Sequence, residues 1–110
     1  MHPCPQEIEE ILRKIKEAIK YGKYTFVPRQ KNMNVLLKYN LSSFSEIVHE
    51  MNRLTCEHYV SGPEIDRDRP NSEPLWIFKQ KIYNDIFYIK VKIIQESGFI
   101  KIISFHIDER

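Results

Sequence analysis

At 110 residues the chain has the length of one domain, 1–110, and 42% hydrophobic content with 12% aromatics is enough for one core. Its formal charge of +2 divides as nine Lys/Arg against six Asp/Glu in residues 1–56 and eight against nine in residues 57–110. There is thus no basic tail, and a nucleic-acid site has to come from local placement of charge.

No apolar run approaches the roughly 20 residues of a membrane span. The opening His2-Pro3-Cys4-Pro5 passes straight into a charged helix and is not expected to be a signal peptide. Cys4 and Cys56 suggest neither a disulfide framework nor a metal site, so a reducing cytoplasm is expected.

The first predicted element is a helix over about residues 5–21. Pro5 suits its first turn, and Glu7, Glu9 and Glu10 lie at the positive end of its dipole. Ile8, Ile11, Leu12, Ile15 and Ile19 form one apolar stripe, and Gly22 is the expected stop. A short extended run, Tyr24–Val27, ends at Pro28. A second helix is predicted over Asn32–Tyr39. A third starts at the capping-box pattern Ser43-Phe44-Ser45-Glu46 and runs to Leu54, burying Phe44, Ile47, Val48, Met51 and Leu54. Residues 61–74, with three prolines and alternating charges, read as a loop.

From Leu75 to Ile107 the pattern is period-two, with turn signals at Asn84-Asp85 and Glu96-Ser97-Gly98. A two-residue turn at Asn84-Asp85 sets Lys81 opposite Tyr88 and Lys79 opposite Lys90. A three-residue turn with Gly98 left-handed sets Tyr88 opposite His106 and Lys90 opposite Ser104. One face then collects Trp76, Phe78, Ile82, Phe87, Ile89, Val91, Ile93, Ile103, Phe105 and Ile107, with Gln80 and Lys101 as polar exceptions. The other collects Lys79, Lys81, Tyr88, Lys90, Lys92, Ser104 and His106, with Leu75, Ile77, Ile100 and Ile102 toward one end. The expected fold is α+β, with N-terminal helices on one face of a twisted antiparallel sheet that ends in a three-stranded meander.

The polar face suits a polyanion. Lysines neutralise phosphates, tyrosine stacks on bases, and histidine transfers protons near neutral pH. RNA cleavage by 2′-hydroxyl attack needs a base, an acid and a cation, and Tyr88, His106, Lys79 and Lys90 are the catalytic candidates, with Lys81 and Lys92 as RNA-binding candidates. The rival reading is a solvated face that catalyses nothing. Arg67 and Arg69 in the loop either clamp phosphates or are neutralised by Asp66 and Asp68, tying the loop to the sheet. His2, His49 and His58 show no ligand spacing and read as surface residues, although His58 and Tyr59 can border the site. No glycine-rich phosphate loop, G-x-S-x-G elbow or C-x-x-C pair is present, which weighs against nucleotide-hydrolysing, serine-hydrolase and zinc-ribbon functions.

The run Leu54-Thr55-Cys56-Glu57-His58-Tyr59, the loop GPEIDRDRP, Trp76-Ile77-Phe78, Tyr88-Ile89-Lys90 and Ser104-Phe105-His106 together resemble the MqsR group of bacterial toxins, within the RelE-like superfamily. The resemblance implies a RelE-like fold and a messenger-RNA endoribonuclease that uses no metal or small-molecule cofactor and is held inactive by a cognate antitoxin. It implies active-site positions at Tyr88 and His106. Val60 and Ser61 stand where the family carries a lysine, and Ile77 where it carries a glutamine, with Lys79 as a substitute on the same face. The alternative is a non-catalytic RNA- or protein-binding module of the same fold, and the Leu75, Ile77, Ile100 and Ile102 end is a candidate oligomer or antitoxin seam.

Overall fold

The structure is a computed structural model and describes residues 4–109, so the expectation for His2 lies outside the described residues. Helix α1, Gln6–Lys20, presents its isoleucine stripe inward and closes at Gly22, whose φ of 68° is one that a side chain would strain. Strand β1 is Tyr24–Phe26, and helix α2 is Gln30–Lys38. The segment predicted as a third α-helix is instead two 3-10 turns, Phe44–Glu46 and Val48–Arg53, broken at Ile47. Its signals still operate. Glu46 accepts the Ser43 backbone N–H at 3.0 Å, and Ile47, Val48, Met51 and Leu54 are fully buried. A third turn, Cys56–His58, leads into the sheet.

The sheet has five strands in the order β1-β5-β4-β3-β2, with β2 Tyr59–Glu64, β3 Leu75–Ile82, β4 Asp85–Ile94 and β5 Phe99–Ile107. The meander β3-β4-β5 is as expected, but the sheet is mixed rather than antiparallel, because β1 joins β5 in parallel. One core lies between α1, the 3-10 turns and the inner face, with Phe78, Phe87, Phe105, Ile15 and Met51 among its fully buried side chains. The radius of gyration is 13.4 Å. About 13 Å is expected of one domain of this size. Among the described residues no helix is long and apolar enough to cross a membrane.

Three further expectations change. The cysteines are not unrelated, because the start of α1 and the Cys56–His58 turn meet and Cys4 pairs with Cys56 in a disulfide, Cα to Cα 5.7 Å. The chain therefore does not carry the two unrelated thiols on which a reducing compartment was expected. A crosslink across a separation of 52 residues removes about 4 kcal/mol of unfolded-chain entropy in the loop-closure account.

Residues 61–64 are strand, not loop. Strand β2 runs along β3 with register shifts, and at Gly62, φ 133°, the backbone lies so close that a Cβ would meet the Leu75 carbonyl and the Trp76 ring at 2.8 Å. A side chain there has no room on either count.

The first hairpin turns at Tyr83-Asn84, one residue earlier than predicted, so Lys79 rather than Lys81 faces Tyr88, and Lys90 faces Ile77. Tertiary contacts decide this. The Tyr83 ring sits 4.9 Å from that of Tyr39, and Asp85 accepts from Tyr39 Oη and, at 2.9 Å, from Lys38. Those bonds hold the Asp85 carboxyl below its usual range, and burial followed by the Asp85 bond pushes Tyr39 up to about 12. Moving the turn by one residue shifts partners by two, which keeps every β3 side chain on its predicted face.

Gly62→Ala is expected to cost about 2–3 kcal/mol from the close approach and the backbone strain together, read as a lower urea midpoint with an unchanged slope.

Candidate functional site

The second hairpin positions the site. From Phe87↔Ile107 to Lys90↔Ser104 its register is the predicted one, so Tyr88 is directly opposite His106. Beyond Lys90 the register shifts, with Val91 facing Ile102 and Ile94 facing Phe99, and Gln95–Gly98 turns with Gly98 at φ 76°. The extra residue is a bulge at Ile103. It corrects the predicted faces: Ile100 and Ile102 enter the core, while Ile103 and Lys101 line the open face with Lys90. Lys101 is thus not a polar exception in the greasy layer. Gln80 is one, its Nε2 donating to the Glu50 carbonyl at 2.6 Å.

Asn32 completes the bulge. It is fully buried, and its Nδ2 donates to the carbonyls of Val27 and Ile103, both at 2.9 Å, while its Oδ1 accepts the Phe105 N–H at 2.9 Å. These are the backbone groups left without a strand partner where β1 ends.

On the open face, Tyr88, Lys90, Ser104 and His106 join Arg29 and Lys31 around a cleft of about 370 Å³, whose lining Asp108 and Glu109 complete. The Tyr88 and His106 rings stack at 5.6 Å and 25°, and the Lys90 ammonium lies 5.8 Å from the Tyr88 ring centroid. Arg29 donates to Ser104 Oγ at 3.0 Å, which steadies its guanidinium over the sheet. His106 Nδ1 is 3.1 Å from the Ile107 carbonyl. A carbonyl only accepts, so Nδ1 carries the hydrogen and Nε2 is the nitrogen left to exchange a proton.

The other predicted residues are distributed unevenly. Lys79 pairs with Tyr88 across β3 and β4, and its ammonium is bound by Asp108 at 2.9 Å. Lys81 is exposed opposite Ile86, two positions from the cleft. Arg67 is exposed on the loop, and Arg69 lines a neighbouring cleft. Lys92 is 4% exposed, with its ammonium 2.7 Å from Asp66 and 2.8 Å from Ser72 Oγ. It is therefore a loop anchor that does not reach solvent. Leu75 and Ile77 are buried on this side of the sheet.

Sequence reasoning missed Arg29, Lys31 and Lys101. The basic pair that flanks the start of α2 was visible, but nothing local indicated that β1 and α2 would carry it across to β5.

Among the described residues no group of three or more His, Cys, Asp and Glu side chains could hold a metal ion. No family model matches the chain, and no curated protein or solved structure does so either.

Two outcomes follow. Asn32→Ala leaves the Ile103 carbonyl and the Phe105 N–H without a partner and is expected to cost about 2–4 kcal/mol, read by thermal unfolding. The loop should also respond to acid. The Lys92 hydrogen bond, more than any other contact, holds Asp66 below the ordinary carboxylate pKa. Its stabilisation is therefore complete above about pH 4 and is lost as the pH falls through the lower folded value. Proteolysis between residues 65 and 74 should accelerate below that point in the wild type, and at every pH in Asp66→Asn.

Proposed function

We propose that this chain is an endoribonuclease that cuts messenger RNA by attack of a 2′-hydroxyl on the adjacent phosphodiester. In this reading it is an MqsR-like toxin of the RelE-like superfamily that meets its RNA in the cytoplasm and is restrained by a cognate antitoxin. The observation that carries the reading is the cross-strand pair Tyr88–His106, set in an open cleft with Lys90 and Arg29 on its wall. The order of helix, strand, helical turns and meander supports the same family.

The groups divide the work. His106 Nε2 takes the 2′-hydroxyl proton, and the hydroxyl oxygen attacks phosphorus. Lys90 and Arg29 stabilise the charge that builds on the phosphoryl oxygens. The Tyr88 hydroxyl gives a proton to the departing 5′-oxygen, leaving a 2′,3′-cyclic phosphate and a 5′-hydroxyl. Lys79 acts through Tyr88 and Asp108, holding the phenol's side of the cleft. This set supplies base, acid and cation without a metal-dependent step.

Purified protein is expected to cut single-stranded RNA, with His106→Ala and Tyr88→Phe each slowing the reaction by about 10²–10⁴ at unchanged circular dichroism. Intact RNA after prolonged incubation with wild type, or variants that cut as fast as wild type, overturns the proposal. Salt-sensitive RNA binding without cleavage identifies a binding module instead.

A further inference from the structure

Beside the first cleft lies a second of about 370 Å³, lined by Arg29, Arg69, Lys90 and Lys101 together with Leu75, Val27, Ile103, Asp66 and Asp68. The two clefts share Arg29 and Lys90. The shared wall is built rather than incidental, because Ser104 faces Lys90 in the register and binds the Arg29 guanidinium at 3.0 Å. Same-face positions along a strand recur about every 7 Å. Tyr88, Lys90 and the Lys92–Lys101 pair therefore mark successive steps along the sheet.

Acids on the second cleft argue against an anion there, but one is already neutralised. Asp66 gives one oxygen to the buried Lys92 ammonium at 2.7 Å and the other to the Asp68 backbone N–H at 3.0 Å. Four cations, Arg29, Arg69, Lys90 and Lys101, then share the lining with Asp68. Its apolar floor of Val27, Leu75 and Ile103 gives bases a surface to rest on. A positive groove with apolar contacts between the charges is how proteins track a single strand without reading its sequence.

We propose that the second cleft is a strand-binding subsite: RNA engaged at Tyr88 and His106 continues over the Lys90–Arg29 wall, and its next phosphates are held by Lys101 and Arg69. The proposal rests on the ribonuclease reading for the identity of its ligand, and its test does not depend on cleavage. A fluorescent single-stranded 2′-deoxy decamer lacks the attacking hydroxyl, so its affinity reports the track alone.

Arg69→Ala/Lys101→Ala is expected to weaken binding of the decamer about tenfold and to make the plot of log affinity against log salt shallower by about 1.4, the value for two lost phosphate contacts on a single strand. Lys16→Ala/Lys20→Ala removes the same charge from α1, away from the track, and is expected to bind like wild type. The track is overturned if the first pair binds as tightly as wild type, if both pairs weaken binding equally, or if wild type does not bind the decamer. Cleavage of RNA by wild type is scored separately. A protein that binds along the track and never cuts overturns the ribonuclease reading alone, and one that cuts while Arg69→Ala/Lys101→Ala binds normally overturns the track alone.

Discussion

The arrangement of the open face depends on one side-chain amide. Strand β5 carries the bulge that turns Lys101 and Ile103 outward and sends Ile100 and Ile102 into the core. A bulge at the end of β1 exposes backbone groups that neither strand can satisfy, and buried unpaired groups are costly. Asn32 supplies the missing donor and acceptor from the first turn of α2. The same contact draws the start of α2 against β5, which brings Arg29 and Lys31 to the cleft that Tyr88 and His106 line. Register, helix position and cation placement are therefore one structural decision.

A second constraint works from the opposite edge. Lys92 belongs by periodicity to the basic face, yet its charge is spent on Asp66 and Ser72, pinning the 65–74 loop against the sheet. Asp66, Asp68 and Arg69 of that loop line the second cleft together with Leu75. The sheet thus carries cations of two kinds. Lys90 and Lys101 line the open clefts, while Lys92 is consumed in holding the surface together. Lys79, tied to Asp108 beside Tyr88, lies between the two.

The α1 side supports the sheet from beneath. Its isoleucines, the 3-10 turns and the inner sheet face make a continuous apolar layer, and the Cys4–Cys56 link fastens the start of the helix to the segment entering β2. That segment runs to Gly62, where only a hydrogen fits between the β2 backbone and Trp76. A well-anchored layer beneath the meander keeps Tyr88 and His106 in their stacked geometry.

Features governed by neighbours in the chain were legible without coordinates. The α1 stripe with its Gly22 stop and the two faces of β3 and β4 follow from periodicity and turn chemistry, because a strand's alternation survives any shift of two residues. The expected Tyr88–His106 pairing holds because the bulge at Ile103 offsets a second turn one residue longer than expected. What the sequence by itself determined was therefore which side chains of β3 and β4 share a face, whereas the bulge in β5 reversed the faces of Ile100, Lys101, Ile102 and Ile103. Which side chains meet was decided in three dimensions. Tyr39 and Lys38 moved the first turn, Asn32 accommodated the bulge, and Asp66 withdrew Lys92 from the surface. Each of these acts between residues 26 to 73 positions apart, a distance over which local propensity carries no information.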